Sequence, residues 1–125
     1  MTAPAWMSAM IGEFGRAAGL GDLKLNERGA AAMRFETGVS LRLEYTGSEL
    51  VVAMTAPAAN LKMLLSFSHP EARLGFKVRT GILRKTGEAV LAVRLAERDA
   101  TLQRLNEVFS LLWRLTGEIG GASWA

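Results

Sequence analysis

Side chains able to run acid–base or metal chemistry are sparse in this 125-residue chain and do not converge. General acid–base catalysis needs two titratable groups aimed at one bond, and a metal ion needs three or four donors around one point. The single histidine, His69, sits before Pro70 at a break between segments, and no spacing brings other donors to it. Glu27, Glu36, Glu44, Glu49 and Glu97 fall singly in turns and on polar faces, where hydration accounts for them. There is no cysteine, which excludes disulfides, zinc–thiolate sites and thiol nucleophiles. The glycine-rich spots at Gly12–Gly15 and Gly19–Gly21 lack the Lys-Ser/Thr of a phosphate loop, and Lys85-Thr86-Gly87 reads as a hairpin turn. The expectation is a protein without enzymatic activity, catalytic residue, metal or cofactor.

What remains is surface chemistry. The formal charge of +3 lies wholly in residues 71–88, where Arg73, Lys77, Arg79, Arg84 and Lys85 face only Glu71 and Glu88. Lys77 and Arg79, two apart, share one side of a strand and suit phosphates or an acidic protein. Only Phe76 is near, and it points the other way, so bases would have nothing to stack on. That favours a solvated or charged interface over nucleic acid. Trp113 stands at the margin of its helix face, and Trp6 and Trp124 lie near the chain ends. Aromatic side chains there serve either as anchors for a partner or as ends folded back on the core, and both readings stand.

The elements that position these residues follow from hydrophobic periodicity. Pro4 opens a first helix over 3–20, with Met7, Met10, Ile11, Phe14 and Ala18 on one side and Gly19 and Gly21 ending it. Gly12 and Gly15 weaken that helix, so packing must compensate. A three-strand meander is expected over 30–55: Ala31–Glu36, then Val39 to Tyr45 in strict alternation, then Leu50–Met54. The turns Asn26–Gly29, Thr37-Gly38 and Thr46–Ser48 separate these segments and make the pairing antiparallel.

Residues 58–68 read as a short apolar helix or a buried strand, stopped at His69-Pro70. A hairpin over 72–96 pairs Arg73–Lys85, with a bulge or bend at Gly81, against Ala89–Leu95. Asp99 is the expected cap of a last helix over 99–119, whose stripe runs Leu102, Leu105, Phe109, Leu112, Leu115 and Ile119. The fold class is α+β in the order α-β-β-β-α-β-β-α, with helices on one side of a five-stranded, mainly antiparallel sheet.

At 50% apolar and 22% charged residues the composition is that of one globular domain over 1–125. No apolar run reaches the ~18 residues that span a bilayer. Glu13 and Arg16 interrupt what would be a signal peptide's apolar core. The expected location is the cytoplasm, with no membrane association.

The element order and several phrases together resemble the class I chaperones of bacterial type III secretion, the Tir-chaperone-like family. The likeness runs over nearly the whole chain. It rests on the helix Met7–Leu20, Leu23-Lys24-Leu25-Asn26-Glu27-Arg28-Gly29, Met33-Arg34-Phe35-Glu36, Val39-Ser40-Leu41-Arg42-Leu43-Glu44, the apolar Leu61–Phe67, and Asp99–Leu115 with its Trp113.

That resemblance implies a cytoplasmic dimer, using neither nucleotide nor metal. It would hold the N-terminal segment of a secreted effector or gatekeeper protein in export-competent, extended form. It implies client contacts at Trp6, Met10, Met33, Phe35, Leu41 and Leu43, side chains that equally suit the core beneath the helices. The implied dimer interface uses Leu61, Leu64, Leu65, Phe76, Val78 and Ile82. The family is usually acidic and this chain is basic. Lys77 and Arg79 are therefore the expected contact to an acidic client, or to a second, acidic chaperone in a heterodimer instead of a homodimer. The alternative function is a small basic nucleic-acid-binding module using the 73–85 strand.

Overall fold

The structure, a computed structural model, describes residues 2–57 and 76–120. Helix α1 (Ala5–Ala17) buries Met7, Met10, Ile11 and Phe14, the apolar side chains that recur every three or four residues. Pro4 is its cap residue, one position outside the first turn, and its carbonyl accepts the N–H groups of Met7 and Ser8 at 3.1 and 3.2 Å. Gly19 and Gly21 then take positive φ (74° and 78°) and turn the chain back along the helix. That return passes Gly15 so closely that a Cβ there would lie 2.8 Å from both the Gly21 carbonyl oxygen and Leu23 Cβ. The glycine that weakens the helix is what lets the next segment pack on it.

Five strands follow: β1 (Ala30–Arg34), β2 (Ser40–Tyr45), β3 (Glu49–Ala56), β4 (Arg79–Ile82) and β5 (Ala89–Ala96). Every pairing is antiparallel and the order across the sheet is β1-β2-β3-β5-β4. The first corner is an Asx turn in which Asn26 Oδ1 accepts the N–H groups of Arg28 and Ala30. Helix α2 (Leu102–Gly120) lies over β3 and β5, and α1 packs beside it on the same face. The core between helices and sheet takes Leu41, Leu43, Leu50, Val52, Met54, Leu91 and Val93 from the strands, and Leu105, Val108, Leu111, Leu112 and Leu115 from α2.

The α+β class, the antiparallel meander and the closing hairpin are therefore as expected, and several details differ. Strand β1 stops at Arg34, which leaves Phe35 in the turn to β2. Within the described residues the basic strand is Arg79–Ile82, and Gly81 makes no bulge, since it sits opposite Val90 in unbroken register. Asp99 does not cap α2. The Glu97 N–H donates to the Ser48 carbonyl, and residues Glu97–Asp99 form a 3-10 turn that delays the helix. The cap is Thr101, whose Oγ1 accepts the Arg104 N–H at 3.1 Å. The buried side of α2 is also rotated, taking in Val108 and Leu111 while Phe109 is half-buried. The expected helix over 58–68, with Leu61, Leu64 and Leu65, lies outside the described residues, as do His69, Arg73 and Trp124.

Candidate functional site

Phe35, displaced into the β1–β2 turn, meets the outer margin of α2. Its ring packs edge-on against Trp113 (centroids 5.0 Å apart, 73°) and tilts against Phe109 at 6.5 Å. Phe109 stacks on Trp113 at 6.1 Å and meets Phe14 edge-on at 5.4 Å. Such aromatic pairs contribute about 0.5–1.5 kcal/mol each beyond area burial. The four rings run from the core, where Phe14 is fully buried, to the surface, where Trp113 is 37% exposed. Trp6 on α1 is 48% exposed. Rigid, partly wet aromatic side chains of this kind anchor protein interfaces.

Beside this ledge runs a sheet edge with which no described strand pairs. At the two ends of β1 the Phe35 N–H donates to the Val39 carbonyl and the Tyr45 N–H to the Gly29 carbonyl, so alternation turns the backbone groups of Ala30, Ala32 and Arg34 outward. Asn26 covers Ala30, accepting its N–H on Oδ1 and donating its own backbone N–H to the Ala30 carbonyl. No described residue covers those of Ala32 and Arg34. An open edge with an aromatic ledge beside it is suited to adding an extended strand from another polypeptide.

The sequence-derived contact residues separate on this geometry. Phe35 and Met33 are half-buried and Trp6 is open, whereas Met10, Leu41 and Leu43 are buried in the chain's own core at 8%, 1% and 0% exposure. The alternation that marked Leu41 and Leu43 as apolar-faced is satisfied by α1 and α2, which leaves them no surface to offer. Trp113, which sequence reasoning placed at the margin of its helix, joins Phe35 instead. Of the residues expected at a dimer interface, Phe76 and Val78 are buried in the chain, with Arg104 lying over the Phe76 ring at 4.9 Å, and Ile82 is 45% exposed. Lys77 and Arg79 are exposed and form no ion pair among the described residues.

Groupings suited to other chemistry are absent among the described residues. No three carboxylate or histidine side chains come together as metal ligands. One open hollow, lined by Arg98, Asp99, Thr101, Gln103, Arg104 and Glu107, lies at the start of α2 and is mainly polar. No described helix is long and apolar enough to cross a membrane. Among the described residues Tyr45 has a raised pKa, above its ordinary 10.0, first through burial and then through the charge of Glu97 and a hydrogen bond to it. Its hydroxyl donates to the Gly47 carbonyl at 2.9 Å and reaches Glu97 Oε1 at 3.3 Å, which locks the β2–β3 turn to the end of β5.

No protein-family model and no curated protein matches the sequence. Solved structures do match the fold. The Yersinia pestis type III secretion chaperone SycH, solved with a stable fragment of YscM2, superposes with a TM-score of 0.72 at 20% identity, over 90% of this chain and 98% of that one. The ExsC–ExsE complex gives 0.75 at 20% identity, over 93% and 92%. The chain has the type III secretion chaperone fold. The HopA1–SchA chaperone–effector complex extends the likeness, with a TM-score of 0.68 at 15% identity over 92% and 95% of the two chains. Few residues are shared at such identities. The common ground is the chaperone fold itself, of which the described residues form two helices on one face of a five-stranded antiparallel sheet.

Proposed function

We propose that this chain is a cytoplasmic chaperone that binds the N-terminal segment of a type III secreted effector or gatekeeper protein and keeps it export-competent. The observation that carries this reading is the end-to-end match to three chaperone-fold structures, each solved as a complex with a partner. The surface agrees with it. Trp6, Trp113, Phe35 and Met33 supply apolar anchors, and the β1 edge supplies backbone groups. An extended client loses conformational freedom on ordering, and several such anchors are needed to offset that loss. The chaperone would act without catalysis, as a homodimer or with a second, acidic chaperone. A nucleic-acid module on the basic strand is not supported, because among the described residues the aromatic ring beside Lys77 and Arg79, Phe76, is buried under Arg104.

The test is co-expression with the secreted proteins encoded beside this gene, followed by size-exclusion chromatography with light scattering. The expected result is a stable complex that depends on the client's N-terminal segment and shields that segment from protease. Replacing both Trp6 and Trp113 with alanine should weaken it by roughly thirtyfold or more, the scale of losing one interface hot spot. A client that binds equally well after its N-terminal segment is deleted, or without those tryptophans, would overturn the proposal.

A further inference from the structure

The edge of β1 beside the aromatic ledge is bounded at both ends within the described residues. At its start the Asn26–Gly29 turn folds alongside the strand. The Asn26 N–H donates to the Ala30 carbonyl at 2.8 Å, and Asn26 Oδ1 accepts the N–H groups of Ala30 at 3.1 Å and Arg28 at 2.8 Å. The Gly29 N–H closes the turn on the Asn26 carbonyl at 2.9 Å, with Gly29 at a φ of 76° that favours glycine. At the far end the chain turns away, as the Gly38 N–H donates to the Phe35 carbonyl at 3.0 Å. Between the two turns the outward backbone groups are an N–H and a C=O on each of Ala32 and Arg34.

We infer that the Asn26–Gly29 turn is a stop that fixes the register of a client strand on β1 and confines it to Ala32 and Arg34. The inference rests on the proposed chaperone function, whose client is the occupant, and adds which stretch of that client pairs and what it carries. Outward groups on two alternate residues serve a strand of about three to five residues, whichever way it runs. A strand that slid further toward the turn would meet the Ala30 groups already bonded to Asn26.

This register sorts the client's side chains. The client residue beside Met33 points to the helix side of the sheet, where Met33 and Phe35 are half-buried, and suits a large apolar side chain. Its neighbours beside Ala32 and Arg34 point to the other side. Arg34 is exposed, with its Nε 3.4 Å from Ser40 Oγ, and favours a carboxylate opposite it, whereas the methyl of Ala32 makes no demand. A slip by one residue would turn the apolar side chain to the wrong face. Covering part of an edge also guards it against unwanted pairing. A guard would cover Ala32, in the middle of this edge, instead of Ala30 at its end.

The experiment follows amide hydrogen exchange by NMR in the full chain, alone and in complex with a co-expressed secreted protein encoded beside its gene. In the free chain the Ala30 amide should exchange more slowly than those of Ala32 and Arg34. In the complex the Ala32 and Arg34 amides should slow at least tenfold while Ala30 stays unchanged. The client should show a matching protected run of roughly three to five residues containing a large apolar residue, and alanine there should weaken binding at least tenfold. Ala32→Pro removes one outward N–H and leaves the ladder from Ala31 and Met33 to β2 in place. It should weaken the complex about tenfold, the scale of one lost backbone hydrogen bond.

Ala32 and Arg34 amides that are already slow in the free chain, or that stay fast in the complex, would overturn this inference and leave the chaperone function standing. So would an Ala30 amide that slows on binding, or an Ala32→Pro chain that binds as tightly. Failure of every such secreted protein to bind would overturn both.

Discussion

Gly12 and Gly15 are three residues apart in α1, and the same substitution at each should change stability in opposite directions. A glycine inside a helix is roughly 0.8–1 kcal/mol less favourable than alanine, so alanine at either site starts with that gain. At Gly12 the added Cβ meets nothing closer than the Arg16 guanidinium at 3.5 Å and the Leu23 carbonyl oxygen at 3.8 Å, which are ordinary contacts. The full gain should survive, and Gly12→Ala is expected to stabilise by about 0.5–1 kcal/mol. At Gly15 the Cβ meets the Gly21 carbonyl oxygen and Leu23 Cβ at 2.8 Å, with the Leu23 nitrogen at 3.3 Å. None of these is the far end of a flexible side chain, so the return segment must shift off the helix. Overpacking of this kind costs typically 1–3 kcal/mol, which cancels or exceeds the helical gain and leaves Gly15→Ala less stable by up to about 2 kcal/mol. The two variants should therefore differ by about 1–3 kcal/mol, a separation of several degrees in Tm for a chain of this size. Urea unfolding followed by circular dichroism, with the slope unchanged, is the assay. Equal stabilisation by both substitutions would refute the close approach of residues 21–23 to α1.

Further outcomes follow from the same packing. Thr101→Ala should cost about 1 kcal/mol through loss of the α2 cap, while Asp99→Ala stays within about 0.5 kcal/mol, both by urea unfolding. Phe109→Ala, which removes the ring joining Phe14, Phe35 and Trp113, should cost about 3 kcal/mol in that assay. Trp113→Ala should cost less, because Trp113 is 37% exposed. Tyr45 is the one tyrosine, so its ultraviolet titration is direct. Glu97→Gln should lower its midpoint, since the carboxylate's charge and hydrogen bond both hold the phenol protonated. The folded pKa lies above the unfolded value near 10, so this stabilisation is complete below about pH 10 and is lost as pH rises through the folded pKa. A melting temperature that climbs over that interval would contradict it.

Much of the architecture was legible in local pattern. The alternation from Val39 to Tyr45, the 3–4 spacing of Met7 to Phe14 and of Leu105 to Leu115, and the turn glycines each act over a few residues, and any apolar core rewards them alike. The absence of cysteine was likewise a property of the sequence. Local pattern has no means of saying which apolar side chains stay wet. Leu41 and Trp113 both belong to apolar-faced elements, and only the docking of α1 and α2 on the sheet buries one at 1% exposure and leaves the other at 37%.

Edge status is nonlocal for the same reason. Strand β5 enters between β3 and β4, and that long-range pairing leaves β1 and β4 as the outer strands among the described residues. Sequence determined which segments alternate and where the cations cluster. Tertiary structure decided that the aromatic ledge lies beside one outer strand and the cations beside the other, because strand order and helix docking are set by contacts between residues far apart in the chain.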